Sequence, residues 1–426
     1  MKIIIIGGGF AGLKLARTLN NDLRFEVMLI DKHNYHQFQP LLYQVATSGL
    51  DASNISFPLR RVFQKSRNVR IRMAEVLTVN INGKQVTTDI GNFSYDIIVL
   101  ATGAETNFFG NEMLQQHVMP MKSTVEALRI RHNLIHNFEE AEMEKDPAEL
   151  KKLMTIVIVG GGPTGVELSG AIAQMKSFVL PKDYPDLDFN DMEILLVEGS
   201  GRTLSTMSDK SSEQSRHYLE RLGVRVITHT HVINYDGNRL ELNDGKFILS
   251  KLVIWAAGVR GNIPEGIDKS LIVKGNRIMV DRYNRVEGTD GVYALGDVAY
   301  METEKYPKGH PQVANVAISQ ASNLAENLKR FASGKNNLVA YEYIDKGSMA
   351  TVGRNLAVVD IPKPRLHFSG FLAWLVWMLL HLMLLLGVKN RIQVFINWVF
   401  NYITFDQNLR LIFKEFYVPR KTSAKK

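Results

Sequence analysis

Residues 2–31, KIIIIGGGFAGLKLARTLNNDLRFEVMLID, carry the pattern that decides the fold. Residues 3–6 are β-branched and apolar and predict a buried parallel strand, residues 13–19 predict a helix, and residues 25–30 predict a second strand. The glycine turn GGGFAG separates the first strand from the helix, and Asp31 ends the second strand. This order favours a dinucleotide-binding unit over an isolated tight turn.

Each special position in this unit has its own expected role. Gly7 allows the tight turn, Gly9 lets the backbone approach a pyrophosphate, and Gly12 lets the helix pack closely on the strand. The helix N-terminus adds unpaired N–H groups and the positive end of the helix dipole. Asp31 lies about 20 residues on, where a carboxylate can accept hydrogen bonds from ribose hydroxyls.

A second copy of the pattern follows in the middle of the chain. Residues 155–159 predict a strand, GGGPTGVE at 160–167 forms the turn and the helix start, and Glu198 ends the next predicted strand. Small residues at 101–103 and 256–258 follow a later strand in each copy, where the backbone can approach a ligand closely. Two copies argue against a chance match and predict an α/β fold.

The composition restricts the chemistry. The chain has 426 residues, 45% of them hydrophobic and 22% charged, which is typical of a globular protein with two or three domains. The absence of cysteine excludes redox disulfides, iron–sulfur clusters and cysteine-bound zinc, so electron transfer needs an organic cofactor. The apolar segment before the first glycine is too short for a signal peptide, and we expect none.

The segment 33–46, HNYHQFQPLLYQVA, is unusually rich in aromatic and amide side chains, and we expect it to cover a flat ring. His33 and His36 have no third ligand at plausible spacing, so no metal site is expected. Local patterns elsewhere predict helices at 53–63 and 122–152, antiparallel strands at 70–79 and 85–90, and strands between 341 and 360.

The motif YALGD at 293–297 predicts a strand followed by a Gly-Asp turn. Asp297 alone would be an ordinary turn residue. After two dinucleotide-binding units, a role in binding the ribitol of a flavin is favoured, and a helix is expected near residues 315–330.

The C-terminal tail differs in character from the rest. Residues 370–388 are apolar and uncharged, and residues 391–405 predict a helix with one narrow polar stripe, Gln393, Asn397 and Asn401. Three of the four tryptophans lie here. From residue 363 onward the chain has ten Lys and Arg but only two Asp and Glu, which accounts for the whole net charge of +8. The composition of the tail favours an anionic membrane over nucleic acid as its partner. The apolar run could span a membrane, be a buried helix or belong to an interfacial helix pair, and the second amphipathic helix favours the interfacial pair.

Several of these motifs resemble the type II NADH dehydrogenases, which are single-chain NADH:quinone oxidoreductases. The resemblance covers residues 2 to about 413, and the apolar tail is its most specific part because general flavin reductases lack it. The similar motifs are GGGFAGL, HNYHQFQPLLYQVA, FPLRRV, VIVGGGPTGVELSG, VLPKDYPDLDF, YALGD, DKGSMATVGRN and the tail segments FSGFLAWLVW, HLM, NRIQVFINW and FDQNLRLI.

The resemblance implies an α/β fold with two Rossmann-like domains and a C-terminal α+β membrane-interaction region. It implies an FAD-binding domain at 1–114 and 286–335, an NADH-binding domain at 115–285, and a membrane-anchoring and dimer region at 336–426. The implied protein is a homodimeric, peripheral flavoenzyme with non-covalent FAD. It passes electrons from NADH to a membrane quinone without proton pumping, in a respiratory chain, at the cytoplasmic face of a bacterial inner membrane, and nucleic acid is not a partner.

The resemblance also implies site residues. For FAD these are Gly7, Gly8, Gly9, Phe10, Ala11, Gly12, Asp31, Lys32, Val76, Ala101, Thr102, Gly103, Gly296, Asp297, Ala314 and Asn315. For NADH they are Gly160, Gly162, Pro163, Thr164, Gly165, Glu167, Glu198, Ala257 and Gly258.

Two residues are implied to be catalytic. Glu167 is expected near the flavin and the nicotinamide, and its alternative role is that of a first-turn acid favoured by the helix dipole. Gln320 is expected beside the quinone. The chain departs from the family pattern here, because Asn315 and Ser319 occupy positions where glutamines are common.

Other functions explain less of the sequence. Sulfide:quinone reductases and disulfide reductases share the twin fold, but both need cysteines. A soluble NAD(P)H:acceptor reductase leaves the tail unexplained. A regulatory NADH-binding flavoprotein resembling apoptosis-inducing factor remains a different class, which fast multiple turnover with quinone would exclude.

Overall fold

The structure, a computed structural model, describes residues 1–407 and 409–412. The expected basic segment beyond residue 412 lies outside these residues. The first part of the chain forms β1 (Lys2–Ile6), α1 (Phe10–Thr18), β2 (Glu26–Asp31), β3 (Tyr35–Gln37), α2 (Leu42–Ala46), α3 (Ala52–Ile55), β4 (Ser56–Pro58), α4 (Leu59–Val62), β5 (Val69–Met73), β6 (Val76–Asn80), β7 (Gln85–Thr88), β8 (Gly91–Ser94), β9 (Ile97–Leu100), β10 (Ala104–Thr106) and α5 (Glu112–His117).

The middle of the chain repeats the alternation of strand and helix. It forms β11 (Met119–Pro120), α6 (Thr124–Met143), α7 (Pro147–Leu153), β12 (Thr155–Val159), α8 (Pro163–Phe178), α9 (Leu180–Asp183), β13 (Glu193–Val197), α10 (Asp209–Arg221), β14 (Val224–Ile227), β15 (Val232–Tyr235), β16 (Arg239–Leu242), β17 (Phe247–Leu249) and β18 (Leu252–Trp255).

The last part returns to the first unit and then forms the tail. Its elements are β19 (Val259–Gly261), β20 (Ile272–Val273), β21 (Arg277–Met279), β22 (Val292–Ala294), β23 (Ala299–Tyr300), α11 (Ala314–Phe331), β24 (Ser348–Gly353), β25 (Leu356–Ile361), β26 (Leu366–Ser369), α12 (Phe371–Leu384) and α13 (Val388–Thr404).

Two parallel five-stranded sheets with matching strand orders organise the molecule. The first has the order β22–β9–β1–β2–β5 and the second the order β11–β18–β12–β13–β14. β1 and β12 lie at the centre, each followed by a glycine turn and a helix. The expected pair of Rossmann-like units in an α/β fold is therefore confirmed.

The central strand shows why its sequence is continuously apolar. Ile3 and Ile5 pack into a core on one face of the first sheet, whereas Ile4 and Ile6 pack into a core on the other face. All four side chains are at most 5% exposed. A parallel strand covered on both faces has no polar side, so the alternation of a half-exposed strand is absent.

The chain crosses back to the first unit soon after β18. β19 pairs with β10, and Ile267, Ile278 and Val280 belong to the same core as Ile4. The crossover therefore lies near Gly258, earlier than the boundary expected at residue 285.

Four local expectations were wrong in detail. Residues 53–63 are not one helix, because β4 interrupts them and pairs with β3. Residues 70–79 divide between β5, an edge of the parallel sheet, and β6, part of an antiparallel sheet. The helix expected at 122–152 is broken before Pro147, since a proline disfavours helical geometry in the preceding residue. The strands expected from residue 341 begin only at Ser348.

The tail forms a three-stranded antiparallel sheet, which packs on the second unit, and two helices, of which α13 packs on α3 of the first unit. β24 packs against α8, and α12 packs against β25. The apolar run 370–388 is not one helix: α12 ends at Leu384, and Gly387, with a φ of +79°, precedes α13. Among the described residues, no helix is both long and apolar enough to cross a membrane.

The approach of β24 to α8 is close enough to exclude a side chain. A Cβ atom on Gly170 would overlap the backbone carbonyl oxygen of Val352. Because neither partner is a flexible side chain, the overlap cannot be relieved without moving the strand or the helix.

We expect Gly170→Ala to destabilise the protein although alanine is the better helix former. Helix propensity favours alanine by about 0.5–1 kcal/mol, and overpacking against fixed backbone costs about 1–3 kcal/mol. Thermal unfolding of the FAD-loaded protein should therefore show a lower Tm, whereas Ser177→Ala, an exposed change on the same helix, should leave it within error. An unchanged or higher Tm for Gly170→Ala would show that β24 is not seated against α8.

Candidate functional site

The first glycine turn has the geometry of a phosphate cradle. Gly7 has a φ of +103°, and a Cβ atom there would overlap the carbonyl oxygen of Ala101. A Cβ on Gly12 would overlap the carbonyl oxygen of Gly7. Gly9, by contrast, has open space around its Cβ position, and it begins α1 without any side chain capping the helix. The open space and the free N–H groups at Phe10 and beyond fit a pyrophosphate.

Both backbone polar groups of Gly8 form hydrogen bonds with side chains. Its N–H donates to Asp31 Oδ2 at 2.6 Å, and its carbonyl oxygen accepts from His36 Nδ1 at 2.9 Å. Asp31 Oδ1 also accepts from the N–H of His33 at 2.7 Å. Burial lowers the pKa of His36, so its ring is neutral at pH 7 with the proton on Nδ1. The residues first considered as metal ligands therefore support the turn.

The second glycine turn repeats this arrangement with different partners. Gly160 has a φ of +112°, Gly165 has no space for a Cβ, and Gly162 begins α8 with open space and no side-chain cap. The N–H of Gly161 donates to the Glu198 carboxylate, which also accepts from Ser200 N at 2.6 Å. The carbonyl oxygen of Gly161 accepts from the N–H of Leu204 at 2.7 Å.

The remaining expected nucleotide residues lie at the carboxyl ends of the same sheets. In the first unit they follow β2, β5, β9 and β22 or begin α11, and in the second they follow β12 or β18. In an open parallel sheet this edge is where ligands bind. The residues placed there are Lys32, Val76, Ala101, Thr102, Gly103, Gly296, Asp297, Ala314, Asn315, Pro163, Thr164, Ala257 and Gly258.

The turn at Gly296 and Asp297 is supported from three directions. The N–H of Gly296 donates to Gln320 Oε1 at 2.7 Å, and the carbonyl oxygen of Asp297 accepts from Gln312 Nε2 at 2.9 Å. Lys122 Nζ lies 3.8 Å from Asp297 Oδ2. Gln320 is 1% exposed, so its amide serves this buried turn. The two residues that depart from the family pattern lie on the same helix, with Asn315 exposed and Ser319 bonded to Tyr341.

Glu167 lies elsewhere, on the side of α8 that faces the tail. It is the fifth residue of α8, whose first turn holds no acid, so the alternative role as a first-turn acid was wrong. Its Oε1 accepts from the N–H of Thr351 at 3.4 Å, and it is 8% exposed. Burial raises the pKa of Glu167 to about 8, against the smaller opposing effects of the Thr351 N–H and the indole of Trp377.

A cavity of about 150 Å³ opens at Glu167, and we call it the tail cavity. The nucleotide unit contributes Gln174 from α8, and the tail contributes Trp377 from α12 and Asn401 from α13. Tyr43 and Gln44, from the segment 33–46, complete the wall. That segment was expected to cover a flat ring, and the structure places its second half here. Gln320 does not line this cavity, so the two expected catalytic residues are not brought together.

The cavity wall includes residues that the sequence did not single out. His381 does not line the cavity but supports its wall: its ring stacks on Trp377 with centroids 4.0 Å apart, and burial lowers its pKa to about 4. The Arg354 guanidinium lies 3.8 Å from the ring centroids of both Tyr402 and Phe405. The segments that hold Arg354, Tyr402 and Phe405 were recognised, but only the packing of the tail on α8 shows that these residues and Glu167 line one cavity.

The outer faces of α12 and α13 are apolar and exposed. The polar stripe of α13 faces inward instead: Asn397 Nδ2 donates to Asn54 Oδ1 at 2.9 Å, and Asn401 Nδ2 donates to the carbonyl oxygen of Gly49 at 3.1 Å. The exposed apolar residues, which we call the outer apolar face, are Phe371, Leu372, Leu375, Leu379, Leu380, Met383, Leu384, Val388, Ile392, Phe395, Ile396, Val399, Phe400 and Ile403.

No group of three or more His, Asp or Glu within the described part of the chain could hold a metal ion. The two glycine turns and their acids each fit a nucleotide. The open space at Gly9 and Gly162 is the feature that carries this fit.

Comparisons with known proteins identify the family. The pyridine nucleotide-disulphide oxidoreductase family matches residues 1–321, and the NDH2 C-terminal domain matches residues 346–404. A type II NADH:quinone oxidoreductase of Mycobacterium tuberculosis is 33% identical over 421 residues, which cover 95% of this chain and 88% of the relative. Another from Staphylococcus aureus is 28% identical, with 83% and 87% covered.

Solved structures share the fold. NDH2 from Plasmodium falciparum, solved in complex with NADH, superposes with a TM-score of 0.88 at 22% identity and covers 97% of this chain and 99% of its own. A sulfide:quinone oxidoreductase from Aquifex aeolicus superposes with a TM-score of 0.72 at 18% identity, with 94% and 95% covered.

The family matches span both nucleotide-binding units and the tail. The resemblance inferred from the motifs is thereby confirmed. The chain belongs to the type II NADH:quinone oxidoreductase family.

Proposed function

We propose that the protein oxidises NADH and reduces a membrane quinone as a peripheral enzyme of a respiratory chain, without proton pumping. The tail cavity is the observation that carries this proposal. Its wall includes α8, whose N-terminus forms the expected NADH cradle, and helices whose outer faces are apolar. A lipid-soluble acceptor can therefore reach the nucleotide units from the side that faces the membrane.

The two cradles bind and orient the nucleotides. Asp31 and Glu198 fix the second glycine of each turn and lie where ribose hydroxyls are expected. The charge of Glu198 opposes a 2′-phosphate, which favours NADH over NADPH. FAD supplies hydride acceptance from the nicotinamide and two-electron delivery to the quinone.

Glu167 is proposed to supply a proton on the quinone side. With a pKa of about 8 its carboxyl group is protonated at neutral pH and can donate from Oε into the tail cavity. This differs from the position expected beside the nicotinamide, because the side chain points to Thr351 and the tail. Gln320 is proposed to support the ribitol-binding turn at Gly296 and Asp297.

The outer apolar face supports a peripheral membrane location. An amphipathic pair that turns its amides inward and its apolar side chains outward fits a position within the interface of a bilayer. The basic residues of the tail attract anionic lipid. We place the protein at the cytoplasmic face of a bacterial inner membrane, as a homodimer, on the strength of the family resemblance.

Flavin spectra recorded by stopped flow test the proposed function. We expect NADH to bleach the visible flavin absorbance within milliseconds to seconds, about the range of enzymatic turnover, and a short-chain quinone to restore it repeatedly. If NADH reduces the flavin but quinone does not restore the flavin absorbance, the proposal is contradicted and a regulatory NADH-binding flavoprotein is favoured.

We expect Glu167→Gln to remove a pH dependence. In the wild type, quinone-driven return of the flavin absorbance should slow as pH rises through about 8, because the acid form is lost. The variant should be slower by at least about tenfold at pH 7 and flat with pH. Glu213→Gln, an exposed change on α10, is the control. A wild-type profile without a step near pH 8 would exclude this role for Glu167.

We expect Gln320→Ala to weaken FAD binding and to leave the KM for quinone nearly unchanged. The change leaves the buried N–H of Gly296 without an acceptor, which costs about 1–3 kcal/mol, so the Kd for FAD should rise roughly tenfold or more. FAD titration of the apoprotein measures this, with Ser322→Ala as the control on the same helix. Normal FAD affinity with a raised KM for quinone would instead place Gln320 at the acceptor site.

A further inference from the structure

A second cavity, of about 330 Å³, lies between the loops of the first unit and the start of α13. We call it the basic cavity, and it shares no lining residue with the tail cavity. Arg61 of α4 and Lys389 of α13 line it together with Asn34, Asn390 and Gln393.

The basic cavity carries uncompensated positive charge. No Asp or Glu belongs to its lining, and within residues 1–407 and 409–412 neither Arg61 nor Lys389 forms an ion pair. Arg61 lies over the Phe57 ring at 5.6 Å, which leaves the donors of its guanidinium available. Two cations and several amides around one concavity favour a bound anion.

The wall of the basic cavity is fixed by a buried side chain. Asn390 is 8% exposed, and its Nδ2 donates to the carbonyl oxygens of Ser53 and Asn54 at 3.0 Å and of Ser56 at 3.3 Å. These bonds hold the start of α13 against the first unit. The backbone segments that carry Arg61 and Lys389, which are far apart in the sequence, are therefore held against each other.

The position of the basic cavity identifies the kind of anion. Lys389 is flanked by members of the outer apolar face, with Val388 71% exposed and Ile392 53% exposed. When that face of an in-plane helix is buried at the headgroup/acyl boundary, a side chain on the flank of the same helix lies at headgroup depth. A phosphate group at this depth belongs to a phospholipid.

We infer that the basic cavity binds the phosphate headgroup of an anionic phospholipid between Arg61 and Lys389. This site lies partly on the FAD-binding unit and is separate from a diffuse attraction of the basic tail to the membrane. The inference rests on the proposed membrane function, and free phosphate shares the same chemistry.

Vesicle flotation of the FAD-loaded full chain tests the site. Vesicles of phosphatidylcholine alone are compared with vesicles that also contain phosphatidylglycerol, at about 0.5 M NaCl, where the Debye length is near 4 Å and diffuse attraction is screened. We expect the wild type to retain a preference for phosphatidylglycerol. Arg61→Gln and Lys389→Gln should each reduce that preference by about fivefold.

Arg60→Gln is the matched control, because it removes the same charge from an exposed neighbour that does not line the cavity. It should reduce the preference by less than about twofold. Equal losses in all three variants would show diffuse electrostatics and overturn the inference. Tm and FAD content confirm that each variant is folded.

Two further measurements separate the possible failures. Ile392→Glu should abolish binding to both kinds of vesicle, because it places a charge in the outer apolar face. A wild type that binds neither vesicle overturns the proposed membrane function, whereas a wild type that binds both equally overturns only the headgroup site. Inorganic phosphate should compete only weakly, and complete displacement at about 10 mM, a millimolar affinity range, would assign the cavity to free phosphate instead.

Discussion

The amide side chains of α13 determine how the tail is oriented. Asn390, Asn397 and Asn401 all donate to acceptors in residues 49–56 of the first unit. Asn390 is buried, and a buried amide without a partner costs about 1–3 kcal/mol. Turning the helix over would also break the hydrogen bonds of the half-buried Asn397 and Asn401. Because the amides occupy the inner side, the apolar side chains face outward. The tail cavity and the outer apolar face both follow from this docking.

The same physical solution holds the backbone in both nucleotide-binding units. In a glycine turn tight enough to present N–H groups to a pyrophosphate, the N–H and the carbonyl group of the second glycine need hydrogen-bond partners from elsewhere. Asp31 and Glu198 accept from the N–H of this glycine. A histidine ring in one unit and a backbone N–H in the other donate to its carbonyl oxygen. The acid at the end of the second strand is therefore structural before any ribose is bound.

Local sequence was enough to identify both nucleotide-binding units, because each glycine turn, helix start and acid lies within one short segment. The tail cavity could not be derived in this way. Glu167 acquires its raised pKa from burial beside Thr351 and Trp377, which are far away in the sequence. The sequence predicted the helix that carries Gln320, but it could not show that the Gln320 amide turns toward Gly296.

The order of the elements along the chain has a consequence for biosynthesis. All strands of the two parallel sheets, and the helix α11 that packs on α1, precede the outer apolar face of α12 and α13. Translation supplies residues in that order, and domains generally fold as they emerge from the ribosome. The two nucleotide-binding units can therefore fold before the outer apolar face is synthesised. This order shortens the time during which a nascent chain is prone to aggregate. The acceptor oxygens of residues 49–56 are then already in place when the asparagine side chains of α13 are synthesised.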